Sequence, residues 1–355
     1  MEFMVLQGDG IGPEIMESAL NIINIFNSNF FLKLEPISYD INTKTLTQGK
    51  WNIDNILEEA KKFKCILKAP MGDPNVRNIE GTEAGLDIIL SLRFKLDLFA
   101  NIRPVRLFPG VISPLRKFEK PFSIDYVILR ENSEGLYSSH FGGLNLRDEL
   151  AIDVQTITRK GAERIAEIAV DLTKRSNGRP LDGKKVLTIV DKSNVLKSFA
   201  FFRKVVSNYA SKYNDIELSY MYADAMEQEM VLHPERLNVI VTENMFGDLL
   251  SDLGAATVGG LGMAYSANLS KDRGMFEPVH GSANDIAGKN IANPVAMLMS
   301  LSLMLDWLDF KDYAKKLENS IISVLKDGIK TVDLGGNYST KSFTDEVIKR
   351  LRKCN

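Results

Sequence analysis

Cysteine, histidine and long apolar runs are scarce in this chain, and each scarcity excludes a class of protein. The two cysteines among 355 residues, Cys65 and Cys354, are far apart and lack metal-ligand spacing. A disulfide framework and a zinc site are therefore not expected, which fits a reducing compartment. No apolar run approaches the length of a membrane span, and the apolar start of the chain reaches a turn by Gly8, too early for a signal peptide. We expect a cytoplasmic protein with no membrane partner.

A strong charge of either sign is also missing. Lysine and arginine number 44 against 46 aspartates and glutamates, so the chain lacks the basic surface of a nucleic-acid-binding protein. With 45% hydrophobic and 25% charged residues, the composition is that of a globular enzyme large enough for two domains. There is no internal repeat or low-complexity linker, and only the stretch 101–109, with two prolines, resembles a hinge.

What the chain does have is an alternation of apolar strand-like segments with segments of helical periodicity. A strand at 3–7, a helix at 13–26 and strands at 31–37 and 65–68 open the pattern. Further strands are predicted at 126–129, 185–190, 217–222 and 237–241, and residues 137–157 have the alternation of a β-arm. The pattern predicts an α/β fold with a largely parallel sheet covered by helices.

A glycine-rich turn, Gly8–Pro13, joins the first strand to the first helix. It has the spacing G-x-G-x-G instead of the dinucleotide-binding G-x-G-x-x-G, and no acidic residue ends a strand at the matching offset. Two interpretations stay open: a nucleotide-binding turn, or a tight turn that packs the helix on the sheet.

The segment Asn244–Asp252 follows an apolar strand and carries two carboxylates four residues apart. If the run from Gly247 is helical, Asp248 and Asp252 lie on one face, about 5–6 Å apart at Cβ, where like charges destabilise a helix unless a cation lies between them. A hard divalent cation such as Mg²⁺ suits such oxygen ligands, and ligand crevices of α/β sheets lie at this strand-to-helix edge. The alternative is a solvated acidic face.

Arginines at the ends of predicted elements provide a second candidate group. Arg93, Arg103 and Arg130 together form a set that could grip a small dicarboxylate bidentately, although each alone is also a plausible structural arginine. Tyr137, seven residues after Arg130, is a candidate proton donor to the same ligand.

Other candidates follow strands. Lys192 comes directly after the strand at 185–190 and is a candidate base, and Asp224 follows the strand at 217–222 and is a candidate third carboxylate. His280 lies in a loop rich in small residues and backbone donors, as a nucleotide site requires.

Motifs that occur in order along the whole chain carry a family resemblance. They are Gly8–Glu14, Arg130–Tyr137, Asn244–Asp252, Phe276–Ala283 and Asp333–Gly336. The chain resembles the β-decarboxylating 2-hydroxyacid dehydrogenases, which act on isopropylmalate, isocitrate, homoisocitrate, tartrate or D-malate. The resemblance implies a non-Rossmann, isopropylmalate-dehydrogenase-like two-domain α/β fold with a central mixed sheet and helices on both faces. It also implies a homodimer with shared active sites, and whether two dimers pair into a tetramer stays open.

The resemblance further implies domain bounds and residue roles. Residues 1–99 and 254–355 would form the cofactor-binding domain, and residues 100–253 the substrate and dimerisation domain, with the β-arm near 137–157. The implied roles are a substrate-carboxylate clamp of Arg93, Arg103 and Arg130, an acid at Tyr137, a partner-supplied proton-handling lysine at Lys192, and Mg²⁺ or Mn²⁺ ligands at Asp248, Asp252 and the partner-supplied Asp224.

For the cofactor, the loop from His280 to Asn293 resembles the adenosine loop of the family. Asp285 and Ile286 stand where its NAD-dependent members have Asp-Ile, and a carboxylate there accepts bonds from a ribose 2′-OH and repels a 2′-phosphate. NAD is therefore the expected cofactor. The expected contacts are Glu277, His280, Gly281, Ser282, Ala283, Asp285, Ile286 and Asn293.

The substrate is chosen by the segment before Arg93. An aliphatic wall of Ile88, Ile89 and Leu90 fits an isopropyl group, whose burial is worth about 2 kcal/mol, and Asp87 would repel a third carboxylate. We therefore expect 3-isopropylmalate, with D-malate or tartrate as the alternative because 101–114 and 231–234 resemble those enzymes. A non-catalytic regulatory subunit of an isocitrate-type dehydrogenase is the alternative from another class; such subunits lack parts of the active set that is complete here.

Overall fold

The structure, a computed structural model, describes residues 1–77 and 83–353, with Phe141 described only in its backbone. Cys354 lies outside the described residues, and Cys65 is buried. Among the described helices none combines the length and the apolar character needed to cross a membrane.

Helices and strands alternate through both ends of the chain. The helices are α1 Gly12–Phe30, α2 Thr43–Thr47, α3 Ile53–Ala60, α4 Ala84–Lys95, α5 Arg159–Arg175, α6 Lys197–Ala210, α7 Ala223–Leu232, α8 Asn244–Thr257, α9 Val295–Trp307, α10 Lys311–Lys326 and α11 Thr340–Lys353. The strands are β1 Glu2–Leu6, β2 Glu35–Tyr39, β3 Cys65–Lys68, β4 Ala100–Arg106, β5 Asp125–Glu131, β6 Leu144–Leu146, β7 Leu150–Ile152, β8 Val186–Asp191, β9 Glu217–Tyr222, β10 Val239–Thr242, β11 Tyr265–Leu269 and β12 Gly274–Pro278.

The described residues form two compact units. The first unit comprises 1–98, 108–112 and 259–355, and the second comprises 99–107 and 113–258. The bounds expected from the sequence, at 99/100 and 253/254, stay a prediction about the protein's domains.

The first unit contains the strand order β2-β1-β3-β12-β11. Strand β1 pairs in parallel with β2 and β3, and β3 pairs in parallel with β12, whereas β11 and β12 are antiparallel. Its core gathers apolar side chains from β1, β3 and the helices that flank them, including Met4, Leu6, Ile66 and Leu92.

The second unit contains the strand order β4-β5-β10-β8-β9. Strands β5, β10, β8 and β9 are parallel to their neighbours, and β4 is antiparallel to β5. A separate antiparallel hairpin pairs β6 with β7 in the region expected to form a β-arm. The α/β fold class with a mixed sheet flanked by helices is confirmed, and the antiparallel pairs β4–β5 and β11–β12 are what make it mixed.

Several local predictions needed correction. The helix expected at 13–26 continues to Phe30, because Phe31 ends it in a left-handed conformation (φ 59°) and donates its N–H to the carbonyl of Phe26. The strand expected at 31–37 therefore begins only at Glu35. The presumed hinge at 101–109 is mostly strand β4, in which Pro104 pairs with Val127.

Candidate functional site

Strands β4 and β5 bring two arginines against one aspartate of helix α8 in the second unit. Strands β5 and β10 are parallel, with Arg130 paired to Thr242, so both strands end at the same edge, where α8 begins. Nη1 of Arg130 lies 2.5 Å and Nη1 of Arg103 3.2 Å from Oδ1 of Asp248. Because both guanidinium groups are buried, they offset the charge of Asp248 and hold its carboxylate in place.

Asp252, one helical turn later, lies on the same face of α8. Its Oδ1 is 3.8 Å from Nη1 of Arg103, and its side chain is more exposed than that of Asp248. Partial burial raises the pKa of Asp252; the charge of Arg103 opposes this rise and that of Asp248 adds to it. A nearby divalent cation would favour the ionised form, so the oxygen donors of this pair fit the cation expected from the sequence. The helix starts at Asn244 and not at Gly247, capped by the Glu243 side chain on the N–H of Phe246.

Tyr137 belongs to the same cluster. Its hydroxyl donates to Oδ2 of Asp248 at 3.0 Å, and the guanidinium of Arg130 lies over its ring, 5.4 Å from the centroid. Burial, followed by the charge of Asp248, raises the pKa of Tyr137, so the phenol stays protonated at neutral pH. A protonated phenol next to cationic carboxylate-binding groups can act as a general acid. We call Arg103, Arg130, Tyr137, Asp248 and Asp252 the Asp248 cluster.

Lys192 and Asp224 form a separate ion pair in the second unit. Nζ of Lys192 donates to Oδ1 of Asp224 at 2.8 Å, and this bond lowers the pKa of the carboxyl group. Within residues 1–77 and 83–353 no three histidine, cysteine or acidic side chains are grouped to hold a metal, so Asp224 does not join Asp248 and Asp252 in one chain. The Asp224 side chain is 66% exposed and thus accessible to a second chain.

The strand end before Lys192 is held by a buried ion pair. Asp191, fully buried, accepts from Nε and Nη2 of Arg203 at 2.7 and 2.9 Å and from the N–H of Ser193. The guanidinium of Arg203 also lies 5.1 Å from the ring centroid of Tyr222. The bonds of Asp191, the residue before Lys192, and of the N–H of Ser193, the residue after it, therefore hold the backbone at Lys192 in position.

Arg93 lies in the first unit, in a buried charge network. Oε1 of Glu277 accepts from Nη2 of Arg93 at 2.8 Å and from the amide of Asn268, and Oε2 lies 2.7 Å from Nζ of Lys68. Burial alone would raise the pKa of Glu277, but Lys68 and Arg93 hold it well below its usual range. Glu277 is therefore ionised, and both of its carboxylate oxygens interact with the side chains of Arg93, Asn268 and Lys68.

Three loops of the first unit are tied together by hydrogen bonds, and we call residues 8–12, 69–72 and 280–284 the loop junction. Asp9 accepts from the N–H of Gly72 at 2.8 Å and from both the N–H and hydroxyl of Thr43. The hydroxyl of Ser282 donates to the carbonyl of Gly72, and a Cβ on Gly10 (φ 58°) would lie 1.9 Å from the carbonyl oxygen of Ser282. The glycine-rich turn is thus a tight packing turn, the second interpretation of its sequence.

His280 presents an unsatisfied polar atom beside this junction. Its Nδ1 is 3.0 Å from the carbonyl oxygen of Gly281, while Nε2 is buried without a hydrogen-bond partner among the described residues. Burial lowers the pKa of His280, so the ring is neutral. A neutral ring nitrogen without a partner fits a bound ligand with a complementary polar group, as the nucleotide prediction requires.

The other expected cofactor residues divide into accessible and structural ones. Gly281, Ala283 and Asp285 are exposed and Ile286 is partly exposed. Asn293 is buried; it donates to Asp333 at 2.9 Å and accepts from the N–H of Val295 at the start of α9. Its side-chain amide therefore stabilises the fold of the loop.

The structure places the predicted aliphatic wall differently from the sequence expectation. Ile88 and Ile89 are 1% and 9% exposed and belong to the hydrophobic core of the first unit, whereas Leu90 is partly exposed. With a repeat of 3.6 residues per turn, Leu86, Leu90 and Arg93 share the accessible face of α4. An apolar run cannot reveal which of its members turn inward, so the sequence did not separate these residues.

Comparisons with known proteins identify the family of the chain. The family model described as isocitrate/isopropylmalate dehydrogenase matches residues 2–347. The chain belongs to this family.

Individual relatives cover the chain almost completely. A 3-isopropylmalate/3-methylmalate dehydrogenase of Methanocaldococcus jannaschii is 39% identical over 98% of both chains, and a 3-isopropylmalate dehydrogenase of Archaeoglobus fulgidus is 38% identical over 99% of both. Among solved structures, the isocitrate dehydrogenase of Methylococcus capsulatus has a TM-score of 0.85 at 32% identity and 99% coverage of both chains. The TT0538 protein of Thermus thermophilus has a TM-score of 0.86 at 32% identity and covers 99% of this chain and 68% of its own.

Membership of the isocitrate/isopropylmalate dehydrogenase family confirms the predicted resemblance and the prediction of a dehydrogenase. Some residues of this family member's sites escaped sequence analysis. Lys68 is the last residue of strand β3, and its side chain is buried. A lysine at the carboxyl end of an apolar strand could have been recognised from the sequence as a candidate site residue. Asp9 and Asn244 lie within motifs noted in the sequence, but their bonds reach loops that are distant in sequence, so no local pattern reveals their roles.

For this dehydrogenase, a Glu277→Gln variant should lose about 3–5 kcal/mol of stability, because Lys68 and Arg93 would remain buried without their counter-charge. Since the pKa of Glu277 is lowered on folding, its contribution is complete above the unfolded pKa of about 4.3 and declines as pH falls below it. Urea unfolding of wild type and variant at pH 7 and pH 3.5 measures the loss of stability and its dependence on pH. A Glu58→Gln variant, which breaks an exposed pair with Lys61, is the control. Equal stability of wild type and Glu277→Gln at pH 7 would contradict the prediction.

Proposed function

We propose that the protein catalyses the NAD-linked, divalent-metal-dependent oxidative decarboxylation of a 2-hydroxy dicarboxylic acid, with 3-isopropylmalate as substrate. The Asp248 cluster carries the proposal, because it joins two buried arginines, a protonated tyrosine and two aspartates. The relatives named 3-isopropylmalate dehydrogenase, 35–39% identical over nearly the full chain, support the choice of substrate. The role would then be in leucine synthesis, and the composition supports a cytoplasmic location.

In this proposal each residue of the cluster has one task. Arg103 and Arg130 hold a substrate carboxylate by charge-assisted hydrogen bonds. Asp248 and Asp252, with Asp224 of a second copy, would hold Mg²⁺ or Mn²⁺, which when bound supplies Lewis-acid polarisation of the C2 oxygen. Tyr137 delivers a proton to the carbon that has lost its carboxyl group.

Lys192 would handle the C2 hydroxyl proton in the active site of a partner chain. The Lys192–Asp224 pair, in which Asp224 is exposed and Lys192 partly exposed, supports a donated element of this kind. The hairpin β6–β7 supports a homodimer too, because Leu144, Leu146, Leu150 and Ile152 are each more than 40% exposed, an unusual apolar surface for a monomer. Sedimentation equilibrium tests the assembly: a 39.7 kDa species at micromolar concentration would rule out the dimer.

The proposed cofactor is NAD. The exposed Asp285 carboxylate can accept bonds from a ribose 2′-OH and repels a 2′-phosphate, and the unsatisfied Nε2 of His280 offers a further polar contact. Asn293 and Glu277 would contribute to cofactor binding indirectly. Asn293 would stabilise the loop, and Glu277 would position Arg93.

The deciding experiment compares initial rates of NADH formation with 3-isopropylmalate, D-malate, tartrate, isocitrate and homoisocitrate, each with Mg²⁺ or Mn²⁺ and with NAD or NADP. A kcat/KM for isopropylmalate at least about tenfold above that for D-malate corresponds to about 1.4 kcal/mol of transition-state discrimination and supports the proposal. A faster reaction with D-malate or tartrate would replace the substrate but keep the chemistry. No reaction with any acid would refute the function.

A Leu90→Ala variant tests the accessible face of α4. If Leu90 contacts the isopropyl group, kcat/KM for isopropylmalate should fall by about 10–100-fold, since a few methylenes are worth about 1–3 kcal/mol, while kcat/KM for D-malate changes little. Leu181→Ala, at a 54% exposed position in the second unit, is the control. An equal loss for both acids would show that Leu90 only packs the helix.

A further inference from the structure

Asn244, the first residue of α8, connects two parts of the Asp248 cluster. Its Oδ1 accepts from Nε of Arg130 at 3.0 Å and from Nη2 of the same guanidinium at 2.5 Å. Its Nδ2 donates to the carbonyl oxygen of Glu134 at 3.0 Å. Both Asn244 and Arg130 are 1% exposed, so these bonds are shielded from water.

The bond to Arg130 fixes how the guanidinium is turned. With Nε and Nη2 directed at Asn244, the Nη1 edge is directed at Oδ1 of Asp248. The stem of Arg130 is confined too, because a Cβ on Gly247 would lie 2.5 Å from its Cγ. A neutral amide orients the arginine without placing a second negative charge beside it, in addition to that of Asp248.

The bond to Glu134 fixes the loop that leads to Tyr137. The carbonyl of Glu134 is held by Asn244, and its N–H donates to Oε2 of Glu131 at 2.7 Å. The next residue, Gly135, has φ 83°, and a Cβ there would lie 3.1 Å from Cβ of Asn244. The backbone is thus held from both sides three residues before the tyrosine.

The side-chain amide of Asn244 satisfies both partners because it carries an acceptor and a donor. A carboxylate accepts from Arg130 but cannot donate to a carbonyl, and an aliphatic side chain of similar size does neither. We propose that Asn244 is a positioning residue that sets both the Arg130 guanidinium and the Tyr137 loop, and that its amide is required for substrate binding and for turnover. This inference rests on the proposed function, in which Arg130 binds the substrate and Tyr137 donates the proton.

Two variants separate the two connections. Asn244→Asp keeps the acceptor, offsets the charge of Arg130 and loses the donor, so the rise of the substrate dissociation constant and the loss of kcat should each reach about 10–100-fold. Asn244→Leu removes both bonds without adding a charge. Its kcat should therefore fall as much as that of Asn244→Asp, whereas its substrate dissociation constant should rise less than that of Asn244→Asp. Calorimetric titration with the dicarboxylate and Mg²⁺, without nucleotide, gives the dissociation constant independently of turnover.

A matched control is Asn238→Asp. Asn238 is also buried in the second unit and accepts from the N–H of Val186 at 3.1 Å and from the hydroxyl of Ser176 at 3.0 Å, outside the Asp248 cluster. The Asn238→Asp variant should have a lower midpoint of thermal unfolding. Its kcat and its substrate dissociation constant should stay within about twofold of wild type, because the substitution removes no group of the Asp248 cluster.

The outcomes are distinguishable. Folded Asn244 variants with wild-type kcat and dissociation constant would overturn the role of Asn244 and leave the proposed function intact. Losses of the same size in Asn238→Asp would overturn it too, since they would reflect stability alone. A wild-type protein that neither binds nor turns over any of the acids would overturn the proposed function and this inference together.

Discussion

A Tyr137→Phe variant is expected to bind the dicarboxylate nearly as well as wild type and to lose most of its turnover. If the phenol donates the proton that completes decarboxylation, kcat should fall by about 10²–10⁴-fold, the usual contribution of a general acid. KM should change little, because Arg103 and Arg130 remain in place. Stability should fall by only about 1 kcal/mol, the net value of one hydrogen bond, here the bond to Asp248. Steady-state kinetics with Mg²⁺ and NAD provide kcat and KM separately.

Tyr313→Phe is the matched control for this change. Its hydroxyl donates to the carbonyl of Phe30 at 2.7 Å in the first unit, so this variant also loses one hydrogen bond but no residue of the Asp248 cluster. Its kcat should match that of wild type. A Tyr137→Phe enzyme that retained a third or more of wild-type kcat would show that another group supplies the proton.

An Asp248→Asn variant should lose metal binding as well as turnover, because this side chain is both the expected metal ligand and the acid partner of Arg103 and Arg130. Losing a metal that contributes several kcal/mol to transition-state stabilisation lowers kcat/KM by about 10³-fold or more. A bound metal also stabilises the folded state by mass action, so Mg²⁺ or Mn²⁺ should raise the midpoint of thermal unfolding of wild type but not of the variant. Thermal unfolding at several metal concentrations measures this without any assay of turnover.

Asp182→Asn provides the comparison for the aspartate. Asp182 pairs with Arg179 at 2.7 Å on the surface of the second unit, and that hydrogen bond lowers the pKa of Asp182 to about 2. Loss of an exposed pair costs little, so this variant should keep both turnover and the metal-induced shift. If Asp248→Asn kept the full shift as well, the metal would have to bind elsewhere.

The grouping of Arg130 with Asp248 could be predicted because it follows from a general rule of parallel sheets. In the sequence, Arg130 follows the apolar run 126–129 and the segment Asn244–Asp252 follows the apolar run 237–241, and parallel neighbouring strands end at one edge. Strands β3 and β9 were predicted with their observed bounds. Strand β3 contains the apolar run 65–67, and β9 contains Leu218, Tyr220 and Tyr222 in alternation.

Features set by tertiary packing could not be obtained this way. The inward orientation of Ile88 and Ile89 depends on which face of α4 meets the core, and both faces of that helix carry aliphatic residues. The antiparallel direction of β11 relative to β12 depends on pairing across a turn. The hydrogen bond from Asn244 to Glu134 joins residues 110 positions apart, and an asparagine in the sequence does not indicate which distant carbonyl it will bind.

The way the chain is divided between its units has a consequence for the order of events during synthesis. The second unit is almost continuous in sequence, whereas β3 of the first unit pairs with β12, and Gly274 follows Lys68 by 206 positions (274 − 68). At about 5–20 residues per second, the ribosome needs roughly 10–40 s to cover that distance. Throughout this interval strand β3 lacks its neighbour β12, although β1 can already pair with β2 and β3. The second unit is complete only near the end of the interval, because its last residue, Val258, precedes Gly274 by 16 positions (274 − 258). The edge of β3 that later pairs with β12 is therefore an unpaired strand edge of the newborn protein that benefits from protection by a chaperone.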